Sequence, residues 1–303
     1  AFKSGYNPSG VASASFTNSG SGRVYYVGKS GSNSNSCAQA QNHLTPKLTI
    51  SAGLACMQGG DTLEIKQGTY EEVDLVPPSG TSSNRTVIKS FGTDTVTFTR
   101  FTSWNFYSGR FSYVDFVGGC TLGLNRNCRM VWNGIGTDCC SGAIANAGLS
   151  FGAAGETAHH IRFDGIRATN WGGVASNISN PNAFIEFRNS RFDNNGKFLD
   201  FGNPDNPVLG MAGYHFYIGG GQVLIENCEL DHAGGYAIHQ YGGGRNNNIY
   251  RYNVIHDNGL TVSANVADGI LLHGWGSGHQ AYGNLIYNNK RGAGITAVSS
   301  GSR

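Results

Sequence analysis

The chain is poor in charge. Only 13% of its 303 residues are Asp, Glu, Lys or Arg, and the formal net charge is +2. So small a balance excludes the electrostatic footprint of a nucleic-acid or anionic-membrane binder. No apolar run approaches the ~20 residues of a membrane-spanning helix. Lysine almost vanishes from the second half, where residues 161–298 hold only Lys197 and Lys290. Helical periodicity is also missing there. Glycine, by contrast, numbers 46, and hydrophobic and aromatic residues make up 39% and 11% of the chain. That is enough apolar material to fill a narrow core rather than leave a disordered coil.

One short pattern recurs between Ile161 and Ile286: apolar, two residues, small polar, one residue, apolar. It reads Ile161-Arg-Phe-Asp164-Gly-Ile166, Phe187-Arg-Asn-Ser190-Arg-Phe192 and Ile225-Glu-Asn-Cys228-Glu-Leu230. It returns as Tyr250-Arg-Tyr-Asn253-Val-Ile255 and Ala281-Tyr-Gly-Asn284-Leu-Ile286. The polar positions are 26, 38, 25 and 31 residues apart, with insertions near 198–213 and 260–267, so the underlying period is about 25. Each unit is built of short β-branched and aromatic runs closed by Gly, Asn and Asp, and one unit alone cannot bury its apolar side. The pattern predicts an all-β fold: a single right-handed parallel β-helix, one coil per unit, with neighbouring coils about 4.8 Å apart. Ile166, Phe192, Leu230, Ile255 and Ile286 are expected to stack as one interior column. Asp164, Ser190, Cys228, Asn253 and Asn284 are expected to form a second, polar one.

Residues 1–22 read as a Gly/Ser/Asn-rich arm and 23–303 as the β-helix, with the clearest repeats over 161–298. Thr45-Pro46 opens a segment with apolar residues at helical spacing (Leu48, Ala52, Ala55, Cys56). It predicts a capping α-helix over about 46–57, with Thr45 as N-cap and Pro46 first inside. Seven cysteines stand at 37, 56, 120, 128, 139, 140 and 228. The adjacent Cys139-Cys140 is unlike zinc-ligand spacing. Cys37 and Cys56 read as one disulfide, two more fall among the middle four, and Cys228 is left as an unpaired core thiol. Disulfides, low charge and two glycosylation-type triplets (Asn84-Arg-Thr86, Asn177-Ile-Ser179) point to an extracellular or cell-surface location. No secretion signal precedes Ala1, which reads as a mature start or a cut end.

The opening passage carries a resemblance. Tyr25-Tyr-Val, Thr45-Pro-Lys-Leu-Thr-Ile, Gly59-Gly-Asp-Thr-Leu, Gly68-Thr-Tyr and Arg85-Thr-Val-Ile-Lys resemble the start of secreted right-handed β-helix proteins of the pectate-lyase-like superfamily. The resemblance implies the fold and, more loosely, activity on polysaccharides, since pectate, alginate and chondroitin lyases belong there. Calcium-dependent members pair an Asp/Glu cluster with a Lys or Arg base, and no cluster here matches it residue by residue.

Candidate chemistry lies on three successive coils. His215-Phe-Tyr217 and His239-Gln-Tyr241 each precede a glycine run, and Leu271-Leu-His273 follows in the next coil. Alternation places His239 and Tyr241 outward. One outward column is expected to hold His215, His239 and Leu271, and its neighbour Tyr217, Tyr241 and His273. Tyr or His would serve as base and acid beside a uronate carboxylate, Arg245 would neutralise that carboxylate, and Trp275 and Asp268 would contact the sugar. These rings could equally pave a flat sheet with no chemistry. No cofactor is identified. Asp193, Asp231 and Asp257, with His232 and His256, offer a Ca2+ option beside ordinary Asx-turn roles. Two functions stay open: a polysaccharide lyase on acidic glycans, or a non-catalytic spike or filament subunit that self-associates through an uncapped C-terminal end. The partners expected are accordingly a polysaccharide or a second copy, with neither nucleic acid nor a membrane span.

Overall fold

The computed structural model describes residues 22–121, 123–134, 147–152, 158–196, 213–241, 247–260, 269–273, 276–290, 292 and 294–298. The expected arm (1–22) lies almost wholly outside this set. Strands alternate between two sheets in the first coils and follow a repeating order of three from Ala147–Phe151 onward, and every strand pair is parallel. Like members stack into a nine-stranded sheet from Val24–Val27 to Gln280–Tyr282, an eight-stranded sheet from Gly68–Tyr70 to Leu285–Tyr287, and a six-stranded sheet from Ala147–Phe151 to Ile295–Val298. These are called the first, second and third sheets below. The architecture is the expected parallel β-helix.

Period-two alternation puts one face of every strand inside. In the first sheet Phe116, Phe163 and Phe187 lie in register and stack ring on ring, with centroids 5.1 and 4.9 Å apart. All are fully buried. In the second sheet Phe192, Leu230, Ile255 and Ile286 form the expected column. Ile166 does not join it: the rung below Phe192 is Ala168. The first unit is therefore displaced by two residues, a shift that keeps the inward face inward and is invisible to the alternation. The same shift takes Asp164 out of the polar column, where Ile166 donates its backbone N–H to the Ser190 hydroxyl at 3.1 Å.

The remaining ladder stands as expected. Asn253 Oδ1 accepts the Cys228 N–H at 2.9 Å, and its Nδ2 donates to the Ile225 carbonyl at 3.0 Å. Asn284 repeats the device one coil on, accepting from Asn253 and donating to the Tyr250 carbonyl. Each amide thus satisfies corner groups that no strand pairs. Cys228 is free and buried within this ladder.

The helix is shorter than predicted, Ile50–Leu54, with Thr49 rather than Thr45 as N-cap. Lys47 is held extended by a parallel bridge to Val27, so the turn cannot start before it. The Glu72 carboxylate accepts the Ile50 and Ser51 N–H groups at 2.8 and 2.9 Å. Ile50, Gly53 and Leu54 are the buried positions, while Leu48 is exposed. The helix packs on the first two strands, Val24–Val27 and Thr62–Ile65. Disulfides Cys37–Cys56 and Cys120–Cys128 are present. Cys139 and Cys140 lie outside the described residues.

Candidate functional site

The outward face of the third sheet carries a close set of aromatic and imidazole side chains. Phe216, Ile218, Ile238 and Ile270 point inward and are buried, so the residues between them point out. Gln240 is a polar residue inside, where its Oε1 accepts the Tyr250 hydroxyl at 2.8 Å. Register places Ser150, Asn177, Tyr217, His239 and Leu271 in one outward column. Tyr241 and His273 are neighbours in the next, with rings stacked at 4.8 Å and 4°.

His215 departs from the expectation. The rung partner of His239 is Tyr217, again a two-residue displacement, and His215 is wholly buried. Its Nδ1 lies 3.0 Å from Asn195 Nδ2. Burial pushes its pKa down to about 4, against the opposing pull of Asp231 and Asp193. His215 therefore sits inside the coil and Tyr217, His239, Tyr241 and His273 outside it.

His239 is enclosed by phenols. Ring centroids lie 4.6 Å from Tyr214, 4.9 Å from Tyr236, 5.3 Å from Tyr217 and 5.6 Å from Tyr241. Its Nδ1 makes no hydrogen bond. Burial among rings, and then the neighbouring His273, lower its pKa to about 4. At neutral pH the imidazole is uncharged, with Nδ1 shielded from solvent. The phenols move the other way: burial, then Tyr236 and Tyr217, push Tyr214 up to about 12, and burial raises Tyr217. The cluster thus offers a neutral base beside protonated donors. The outward positions of the described strands of this sheet carry no carboxylate and no lysine. Arg245, Asp268 and Trp275 lie outside the described residues.

Tyr214 and Tyr236 were not among the sequence candidates. A signal for them exists: Tyr214-x-x-Tyr217 and Tyr236-x-x-His239 share one spacing and fall in register. The other missed feature is a cleft of about 200 Å³ lined by Arg100, Trp104, Asn105, Tyr107, Ser150 and Trp171, among others. It opens on the same face, at the first strand of the sheet.

The acidic edge of the second sheet is differently built. Glu229, Asp231 and His256 offer donor atoms within 4.8 Å of one another, all three buried. Asp231 already takes two hydrogen bonds from Arg191 at 3.0 and 2.9 Å, and Asp193 takes two from Arg167 at 2.7 and 2.6 Å. Asp257 accepts from His256 Nδ1 at 2.7 Å, and Asp231 accepts from His232 Nδ1 at 2.7 Å. Glu229 accepts the backbone N–H groups of Asn125 and Arg126 at 2.6 and 2.9 Å. Burial pushes the Glu229 carboxyl up, but His256, those two N–H groups and the Arg191 charge outweigh it and hold it near 2. The oxygens a calcium ion would need are committed to protein donors, so this edge does not fit the ion.

A family model described as a right-handed beta helix region matches residues 144–303. No curated protein matches the sequence. Among solved structures, the chain is similar to pectate lyase Pel9A at 15% identity and a TM-score of 0.55, over 88% of this chain and 63% of that one. A rhamnogalacturonan lyase is similar at 13% identity and a TM-score of 0.51, over 89% and 70%. The chain thus spans less than two thirds of the pectate lyase's length. At these identities the likeness is one of fold.

Proposed function

Because the chain belongs to the right-handed beta helix family and its third sheet aligns outward side chains of successive coils in columns, we propose that the third-sheet face binds a polysaccharide and cleaves it by β-elimination. The observation that carries this reading is the Tyr–His cluster: an uncharged His239 ringed by Tyr214, Tyr217, Tyr236 and Tyr241. Both named neighbours are lyases, which fits and does not carry the argument.

On an acidic glycan, His239 takes the proton α to the uronate carboxylate. The electron pair of that C–H bond becomes the new C=C bond as the adjacent C–O bond breaks. A phenol, Tyr217 or Tyr241, protonates the departing sugar oxygen. Arg245 is assigned to the uronate carboxylate, whose charge grows as the proton leaves, His273 to holding Tyr241 by stacking, and Trp275 and Asp268 to sugar contacts. Disulfides support an extracellular site of action.

The test is turnover of a panel of uronate polymers, followed by the ultraviolet absorbance of the unsaturated product. His239→Ala and Tyr217→Phe should each lower kcat by about 100-fold or more, the usual weight of one acid–base group. Wild-type rates in both variants, or new reducing ends without absorbance, would reject elimination at this cluster.

A second reading rests on the last strands, where Leu285, Ile295 and Val298 are 49%, 43% and 41% exposed. Self-association through that end would make the protein a filament or spike subunit, and sedimentation at rising concentration would reveal it.

A further inference from the structure

The cleft at the head of the third sheet lies on the line of the Tyr–His cluster. Ser150 in its wall pairs with Asn177, Asn177 with Tyr217, and Tyr217 with His239. Three rung steps of about 4.8 Å separate cleft and imidazole by roughly 14 Å along the helix axis. One step is close to the rise of one pyranose in an extended chain, so the interval is about three sugars.

The cleft is shaped before any ligand arrives. Trp104 and Trp171 are buried in its walls, and Trp171 is fixed by its indole N–H donating to the Trp132 carbonyl at 3.2 Å. Gly148 lets that indole lie against the strand: a Cβ there would come within 2.5 Å of the ring. Tyr107 stands 58% exposed at the mouth. Its loop is held by Asn105 Oδ1, which accepts the Ser108 N–H and hydroxyl at 3.2 and 2.7 Å. The guanidinium of Arg100 lies 4.8 Å over the Phe101 ring beside the opening. Three aromatic residues, several hydroxyl and amide groups and one cation line it, a mixed surface that suits a single charged ring. A volume of about 200 Å³ falls below the ~300 Å³ at which pockets for whole drug-sized ligands begin.

We propose that this cleft is a subsite that seats one uronate ring of the polymer, with its face on Tyr107 and its carboxylate toward Arg100. The glycan then runs along the helix axis, and the cleft sets where cleavage falls relative to it. This rests on the reading of the face as a lyase site and adds the distance at which the polymer is gripped.

Calorimetric binding of oligouronates from dimer to hexamer, and of neutral oligosaccharides of the same lengths, tests it. Affinity of the wild type should rise until the oligomer spans cleft and cluster, about four sugars by the rung spacing. Tyr107→Ala and Arg100→Ala, both surface changes, should each weaken hexamer binding about tenfold and shift the product lengths released from polymer. If both variants bind the hexamer as the wild type does while the polymer is still cleaved, the subsite is wrong and the lyase reading stands. If the wild type neither binds nor cleaves any uronate, both fail. Equal affinity for neutral oligomers removes the assigned charge recognition.

Discussion

At the scale of single residues, this protein rests on polar side chains placed where no strand can pair the backbone. Asn253 shows the cost of losing one. Asn253→Ala would leave the Cys228 N–H and the Ile225 carbonyl buried without partners, and should lower unfolding free energy by about 2–3 kcal/mol in a denaturant titration. Buried imidazoles set the acid limit. His215 has a folded pKa near 4 against 6.5 unfolded. The folded state therefore binds fewer protons, and the stability this group confers is complete above pH 6.5 and is lost as the pH falls through 4. The difference is worth about 3 kcal/mol. His239 acts in the same direction, and Glu229, held near 2, extends the loss below pH 4.5. Melting temperatures between pH 7 and 4 should fall for the wild type and less steeply for His215→Gln; identical slopes would show that His215 titrates freely. The outward ring of His239 was legible from alternation, whereas the inward turn of His215 was not, because its side chain leaves the pleat at a corner where parity no longer decides direction.

Among elements, the segment closed by Cys120–Cys128 is tied to a distant coil. It reaches across the second sheet so that Asn125 and Arg126 clamp Glu229 more than 100 residues away, while Arg126 donates to the Asn227 carbonyl and Asn125 Oδ1 accepts from Arg191. Removing the disulfide (Cys120→Ser with Cys128→Ser) should cost about 2–3 kcal/mol by the loop-entropy relation. Hydrogen exchange should quicken first at the Asn125 and Arg126 amides, ahead of the strands. Glu229→Ala leaves the Asn125 and Arg126 N–H groups unpaired and takes one of several partners from Arg191 and His256, and should cost about 3–5 kcal/mol, more than the disulfide. The sequence placed these cysteines among four expected to form two disulfides, leaving the pairing open, and held no sign of what the loop covers, since a contact across about four coils leaves no local pattern. The helix was misjudged for a related reason: apolar spacing over 46–57 was compatible with a longer helix, and only the bridge from Lys47 to Val27 starts it at Ile50.

As a whole the molecule is a stack whose coils touch mainly their neighbours, held by one continuous core. Phe187 is in contact with Phe163, Phe192 and Phe216 from all three sheets. Phe187→Ala should reduce unfolding free energy by about 3–5 kcal/mol, measured by denaturant titration, and a loss under 1 kcal/mol would mean the column collapses to fill the gap. What the sequence by itself determined is the solenoid: a recurring apolar-polar-apolar unit, turn residues between units, and a period-two alternation that assigns each side chain to core or surface. What only the tertiary structure decided is vertical register. A displacement of two residues within a strand, as at Ile166 against Ala168, preserves every inward and outward assignment, so the alternation cannot detect it; His215 is displaced by the same two residues but, lying just before its strand, turns inward. Backbone hydrogen bonding between coils does fix the register, and with it which phenols surround His239 and which strand opens on the aromatic cleft.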